Sequence, residues 1–180
     1  VLDAIDAYYQ RDNANVHRGI HELSRRATLA YEEARGKVAG WIHAPDESEI
    51  IWTRGTTEAI NLVAIGWGLD NLSEGDEILI SVLEHHANIV PWQILAARTK
   101  ATLRYLELDE QGRLVLDDLE SVLTDRTRVV AISHVSNSLG TINPVKEITR
   151  AAHAVGAIVL VDGAQGAVHT RVDVQDLGCD

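Results

Sequence analysis

The chain has 180 residues, 46% of them hydrophobic and 24% charged, a balance that suits one globular domain with a sizeable core. Its formal net charge of −11 argues against non-specific binding to nucleic acid or to an anionic membrane, while leaving room for a local positive pocket. A lone cysteine, Cys179, excludes a disulfide framework and a cysteine-based zinc site, so a reducing, cytoplasmic setting is expected.

No apolar run approaches the ~20 residues of a membrane span, and no signal-peptide pattern opens the chain. There is no methionine, and the chain stops at "DLGCD" without a closing helix or cap signal. Both features lead us to expect a fragment of a longer protein.

Residues 1–45 read as an N-terminal helical segment, with Leu29, Val38, Trp41 and Ile42 spaced among charges and Pro45 behind them. From residue 46 to 180 strands and helices alternate. "EIIWT" (49–53) predicts a strand and "TEAINLVAIGWGL" (57–69) a helix. The strand "ILISV" (78–82) precedes a helix over 88–99 with an early Pro91. A strand over 101–108, a helix over 115–123 and a strand over 128–135 follow. A helix over 145–156 and the strand "AIVLV" (157–161) complete the pattern. Such alternation predicts an α/β fold: a mostly parallel sheet flanked by helices on both faces.

In open α/β sheets ligands bind beyond the carboxyl ends of the strands. Four predicted strand ends carry unusual polar clusters. "RGTTE" brings Thr56 and Thr57 to the start of a helix, where free N–H groups suit a phosphate; a threonine cap with no ligand fits the same residues. "EHHAN" offers His85, an imidazole able to stack on a flat ring or move a proton, or simply to sit satisfied in a loop. His85 and His86, adjacent in an extended chain, point apart and do not suit a shared metal. His17 and His21 have a helical metal-ligand spacing but lack a third ligand, and no metal is expected. "SNSLGT" holds Asn137, which suits either a substrate carboxylate or an Asx-type turn.

The fourth cluster, "VDGAQ", is the most informative. Asp162 ends a run of five apolar residues, and a buried carboxylate is costly unless something pairs with it. A heteroaromatic nitrogen that must stay protonated would be a suitable partner. Pyridoxal phosphate has such a nitrogen. It also wants a phosphate cradle, a stacking group and a donor to its ring oxygen, for which Thr56, Thr57, His85 and Gln165 are the right residue types.

"NVHRGIHELS", "RGTTEAINLVA", "EHHANIVPWQ", "SNSLGTINPV" and "VDGAQGAVH" occur in this order. Together they resemble the cysteine desulfurase and selenocysteine lyase group of the class V aminotransferase superfamily, across essentially the whole chain. The resemblance implies the large domain of a fold-type I pyridoxal phosphate enzyme, incomplete here, and usually a homodimer. Residues 46–180 would then be part of the cofactor-binding domain. The implied reaction takes sulfur from L-cysteine, leaving L-alanine and a protein-bound persulfide that a sulfur-acceptor protein collects.

By motif match, Asp162 should pair with the pyridine nitrogen and Gln165 should bond the ring oxygen. His85 should stack on the ring and move protons. Thr57 and the backbone of Thr56 should hold the phosphate. Asn137 should lie near the ring and the substrate carboxylate. His17 and Arg18 match a loop near the entrance. The Schiff-base lysine of the group is expected in a Ser-Gly-His-Lys motif beyond Asp180; Lys37, Lys100 and Lys146 lack that context. Cys179 does not match the persulfide cysteine. These 180 residues alone are therefore expected to be inactive. Other enzymes of the superfamily, a non-catalytic relative of the same fold, and an unrelated nucleotide-binding α/β module are the competing readings. Neither G-x-G-x-x-G nor G-x-x-x-x-G-K-[ST] is present to favour the last.

Overall fold

The structure is a computed structural model; it describes residues 1–117 and 119–180, with Glu120 described by its backbone alone. Residue contacts divide the chain into two units, Val1–Ile51 and Trp52–Asp180.

The first unit is helical. A short α1 (Leu2–Ala7) runs on through a wider turn at Tyr8–Asp12, and after a loop comes the long α2 (Glu22–Ile42). The His21 imidazole caps α2 by accepting from Ser24 N–H at 3.3 Å. His43 ends it in the left-handed conformation (φ 57°). The predicted strand over 49–53 does not form. Glu47–Glu49 is a short 3-10 turn, and the residues after it join no sheet. Ile50 is buried, so the apolar signal there marks packing rather than pairing.

The second unit alternates as predicted. Helix α3 (Thr56–Val63) continues through a wider turn at Ala64–Gly68 into α4 (Leu69–Asn71). Then come β1 (Glu77–Ser81), a 3-10 turn at His86–Asn88, α5 (Val90–Thr99) and β2 (Thr102–Leu106). After these stand α6 (Leu119–Val122), β3 (Thr127–Ser133), α7 (Val145–Ala154), β4 (Ile158–Asp162), α8 (Gly166–His169) and α9 (Val174–Leu177). The predicted helix over 115–123 is confined to α6; its Asp118 lies outside the described residues. Pro91 occupies the first turn of α5, where its missing N–H costs no hydrogen bond.

The four strands are parallel, in the order β2-β1-β3-β4. Every residue of β1 is buried, as expected of a strand covered on both sides. Strand alternation sorts the core into two layers. Ile78, Ile80, Val129 and Ala131 pack with Ile60, Trp92 and Leu95 on one face. Leu79, Val130, Ile132 and Val159 pack with Ile148 and Ala152 on the other. Helices on both faces thus carry the fold class that the periodicity predicts.

The register levels the strand ends. Ser133 is paired with Asp162, the last residues of β3 and β4, and His134 N–H donates to the Asp162 carbonyl at 2.9 Å. Ser81, the last residue of β1, pairs with Leu106 at the end of β2. The polar segments that follow the strands therefore leave the sheet along one edge.

Candidate cofactor site

A cavity of about 220 Å³ opens at that edge. Its lining includes Thr56, Thr57, His85, Asn137, Asp162 and Gln165, together with Ala87, Ser133, Val135 and Ala164. All six residues singled out from sequence are gathered there, although they span more than a hundred positions of the chain.

Thr56 and Thr57 come from the start of α3. The helix is capped by Gly55, with no side-chain cap. The reading of these threonines as caps is thereby corrected: both lie inside the helix. The first intrahelical bond is Ala59 N–H to the Gly55 carbonyl, so the N–H groups of the opening turn ahead of it have no helical acceptor. Glu58 folds back to accept from Arg54 N–H at 2.6 Å and pairs with its guanidinium. That pairing lowers the Glu58 carboxyl below its ordinary value. Gly55, at φ 153°, lets the chain enter the helix in a conformation that side-chain-bearing residues rarely adopt.

His85 precedes the 3-10 turn, and its Nδ1 accepts from Ala87 N–H at 3.2 Å. A neutral ring held this way carries its proton on Nε2. The His86 ring stands edge-on to it at 5.7 Å.

Asn137 sits on the exposed loop after β3. That loop is closed by Ser136, whose hydroxyl accepts from Leu139 N–H at 3.2 Å, and by Gly140 in the left-handed region (φ 72°). The turn is a serine turn rather than an Asx turn, which leaves the Asn137 amide uncommitted among the described residues.

Asp162 is only 7% exposed. One oxygen, Oδ1, accepts from Ala164 N–H at 3.0 Å and fixes the carboxylate at the mouth of the turn. Among the described residues no lysine, arginine or histidine forms an ion pair with it. Gln165 begins α8 without capping it, so its amide also stays available.

Behind this wall lies a second buried carboxyl, Glu84, also 7% exposed. It accepts from Ser81 Oγ at 2.5 Å and from Asn88 Nδ2 at 2.7 Å, and Ser133 Oγ lies 3.3 Å away. Burial pushes its carboxyl above the ordinary value. Hydrogen bonds from Ser81, Asn88 and Ser133 oppose that, and the Asp162 charge adds to it. Sequence reading gave no role to Glu84 or Ser133. The available signal was a serine ending the apolar run Val129, Val130, Ala131 and Ile132 of β3.

The other residues noted from sequence stand elsewhere. His17 is in the first unit, with Nε2 2.6 Å from Glu32 Oε1. Lys100 pairs with Glu74, and Lys146 with Asp176. Cys179 does not line the cavity, and burial pushes its thiol up. A thiol so shifted is a poor nucleophile near neutral pH.

The chemistry of this lining fits pyridoxal phosphate. A nearly buried carboxylate without an ion-pair partner among the described residues lines the same cavity as a helix start with two threonine hydroxyls, an imidazole and two amides. No helix among the described residues is long and apolar enough to cross a membrane.

Comparison with known proteins agrees with this geometry. The aminotransferase class-V family model matches residues 1–180. The chain is 58% identical over its whole length to a probable cysteine desulfurase of Halalkalibacterium halodurans, of which it covers 44%. It is 54% identical to a cysteine desulfurase of Synechococcus elongatus, covering 29% of that protein. An apo cysteine desulfurase structure from Thermococcus onnurineus superimposes with a TM-score of 0.94 at 44% identity. That match takes in 99% of this chain and 44% of the other. The chain thus spans less than half the length of these relatives. Matched from its first residue to its last, it belongs to the class-V aminotransferase family.

Proposed function

We propose that the chain supplies part of the cofactor-binding region of a pyridoxal phosphate-dependent cysteine desulfurase, which converts L-cysteine to L-alanine and passes the sulfur on as a persulfide. The family is pyridoxal phosphate-dependent. The observation that carries the reading is the convergence of the six motif residues on one cavity at the carboxyl edge of the sheet.

In this reading Asp162 pairs with the pyridine nitrogen and keeps it protonated. Gln165 donates to the ring oxygen. His85 lies against the ring face and moves protons. Thr57 Oγ1 and the N–H groups of Thr56 and Thr57 hold the phosphate at the start of α3, where the helix dipole favours an anion. Asn137 orients the substrate carboxylate. When bound, the cofactor supplies an electron sink for the charge left as the substrate loses its Cα proton. The whole protein works as a cytoplasmic homodimer and hands its sulfur to an acceptor protein, serving iron–sulfur cluster assembly.

Purified full-length protein tests the reading. It should show a visible absorption band of bound pyridoxal phosphate, and L-cysteine should yield L-alanine and reducible sulfur in equal amounts. Absence of the band, or cysteine left unconverted by protein that has the band, would reject it. Faster turnover of selenocysteine than of cysteine would move the assignment to the lyase.

A further inference from the structure

We propose that Glu84 is the positioning residue of this site: its carboxyl ties the end of β1, the end of β3 and the turn after His85 into one knot, behind the wall that Ser133 and Asp162 present to the cavity. The inference deepens the function proposed above and rests on it for its cofactor readout.

The geometry is specific. Ser81 at the end of β1 and Ser133 at the end of β3 both reach Oε1, at 2.5 and 3.3 Å. Asn88, which closes the 3-10 turn begun after His85, holds Oε2 at 2.7 Å. Asn88 is itself fixed, because Trp92 Nε1 donates to its Oδ1 at 2.8 Å. Ser81 also accepts from Leu83 N–H at 3.1 Å, which ties the strand end to the turn. Ser81, Asn88 and Trp92 are fully buried. The knot joins the 81–88 stretch to the end of β3, 49 residues on from Glu84, and both contribute to the cavity wall: His85 and Ala87 from the one, Ser133 from the other. The carbonyl of Ser133 is held as well, by Asn143 Nδ2 at 2.8 Å.

Among the described residues no cation forms an ion pair with Glu84; the charged group that acts on it is Asp162 on β4, His85 follows it in the chain, and its bonded partners are two hydroxyls and an amide. Burial and the nearby Asp162 carboxylate both push the Glu84 carboxyl above its ordinary value. It is part of the same proposal that the clamp is the uncharged acid, set behind the Asp162 carboxyl that faces the cavity. The two carboxyls divide the work by environment, as paired acids in enzyme sites do.

The test compares wild type, E84Q and E84A in the full-length protein. Glutamine copies an uncharged glutamic acid in shape and hydrogen bonding. For an acid raised above its unfolded value, stability is fully present below that value and is lost as pH rises through the folded one. The melting temperature of the cofactor-free wild type should therefore fall, relative to E84Q, by at least about 2 °C between pH 4.5 and pH 8. E84A should weaken pyridoxal phosphate binding about tenfold, because it strands buried donors, and E84Q should restore affinity to within about threefold. Should E84A fail to melt cooperatively, S81A takes its place, with the same direction and a smaller loss. Parallel melting curves for wild type and E84Q across that pH range would overturn the proposal, as would E84Q binding no better than E84A. If the wild type binds no pyridoxal phosphate, the cofactor reading fails, and the melting comparison still decides the role of Glu84.

Discussion

Replacing Asp162 with asparagine isolates charge from shape. The amide oxygen keeps the 3.0 Å bond from Ala164 N–H, so the turn at the end of β4 survives. What is lost is the negative charge at a position 7% exposed to solvent. Two unit charges ~4 Å apart attract by about 4 kcal/mol at an effective dielectric constant near 20, the value suited to such a site. If that attraction acts in the transition state, turnover falls by roughly 10³-fold. Phosphate anchoring at Thr56 and Thr57 is untouched, so cofactor retention on dialysis should fall much less than turnover. The cofactor-free D162N protein should melt no lower than wild type, because it removes a buried charge that forms no ion pair among the described residues. L-alanine formation under saturating L-cysteine gives kcat, and absorbance after dialysis gives retention. D162N turning over within about threefold of wild type would refute the reasoning, since no electrostatic role of this size survives so small a loss.

Two further outcomes follow from packing and charge elsewhere. A Cβ placed on Gly166 would lie 2.5 Å from His134 Nδ1 and 2.9 Å from its Cγ, so G166A should cost about 1–3 kcal/mol in urea unfolding unless the imidazole moves aside. Burial pushes Asp76 upward, but bonds from Ser73 N–H (2.9 Å), Ser73 Oγ (3.0 Å) and Arg128 Nε (2.9 Å) outweigh it and hold the carboxyl below its ordinary value. Glu77 is held down likewise, with Thr124 Oγ1 at 2.6 Å and Arg104 opposing its burial. An acid depressed on folding contributes stability above its unfolded value and loses it as pH falls through the folded one. D76N should therefore lower the urea midpoint at pH 7, and the gap from wild type should close as pH drops from the ordinary carboxylate range through the depressed value of Asp76. A gap that stays constant over that range would refute the assignment.

The parts of the site that were legible in the sequence share one property: each interrupts a strong pattern. Asp162 breaks an apolar strand, and Thr56 follows a glycine at the start of a periodic helix. Strand and helix periodicity then supplied the edge on which they meet. Less legible was anything decided by pairing. Ile50 and Ile51 look like a strand because extended apolar residues suit one, yet a strand exists only when a neighbour accepts its hydrogen bonds. Glu84 was hidden for a related reason. A glutamate in a polar loop is usually solvated, and only the meeting of β1 with β3 buries this one between two serines. Asn137 shows the same limit in reverse, since Ser136 closes the turn that an Asn-Ser pair suggests the asparagine would close.

The order in which the sheet is built bears on when a cell can fill the cavity. The phosphate end, at α3, precedes β1 in the chain, whereas Asp162 closes β4 about a hundred residues later. A chain emerging from the ribosome therefore presents the anion-binding end of the site well before the ring-binding end, and parallel pairing between distant segments forms slowly. A ligand that touches both ends binds only chains in which β4 has docked, and it stabilises those chains by mass action. Cofactor supply would thus act on the yield of chains with β4 in place, and starvation for it would show first as nascent protein caught with β4 undocked.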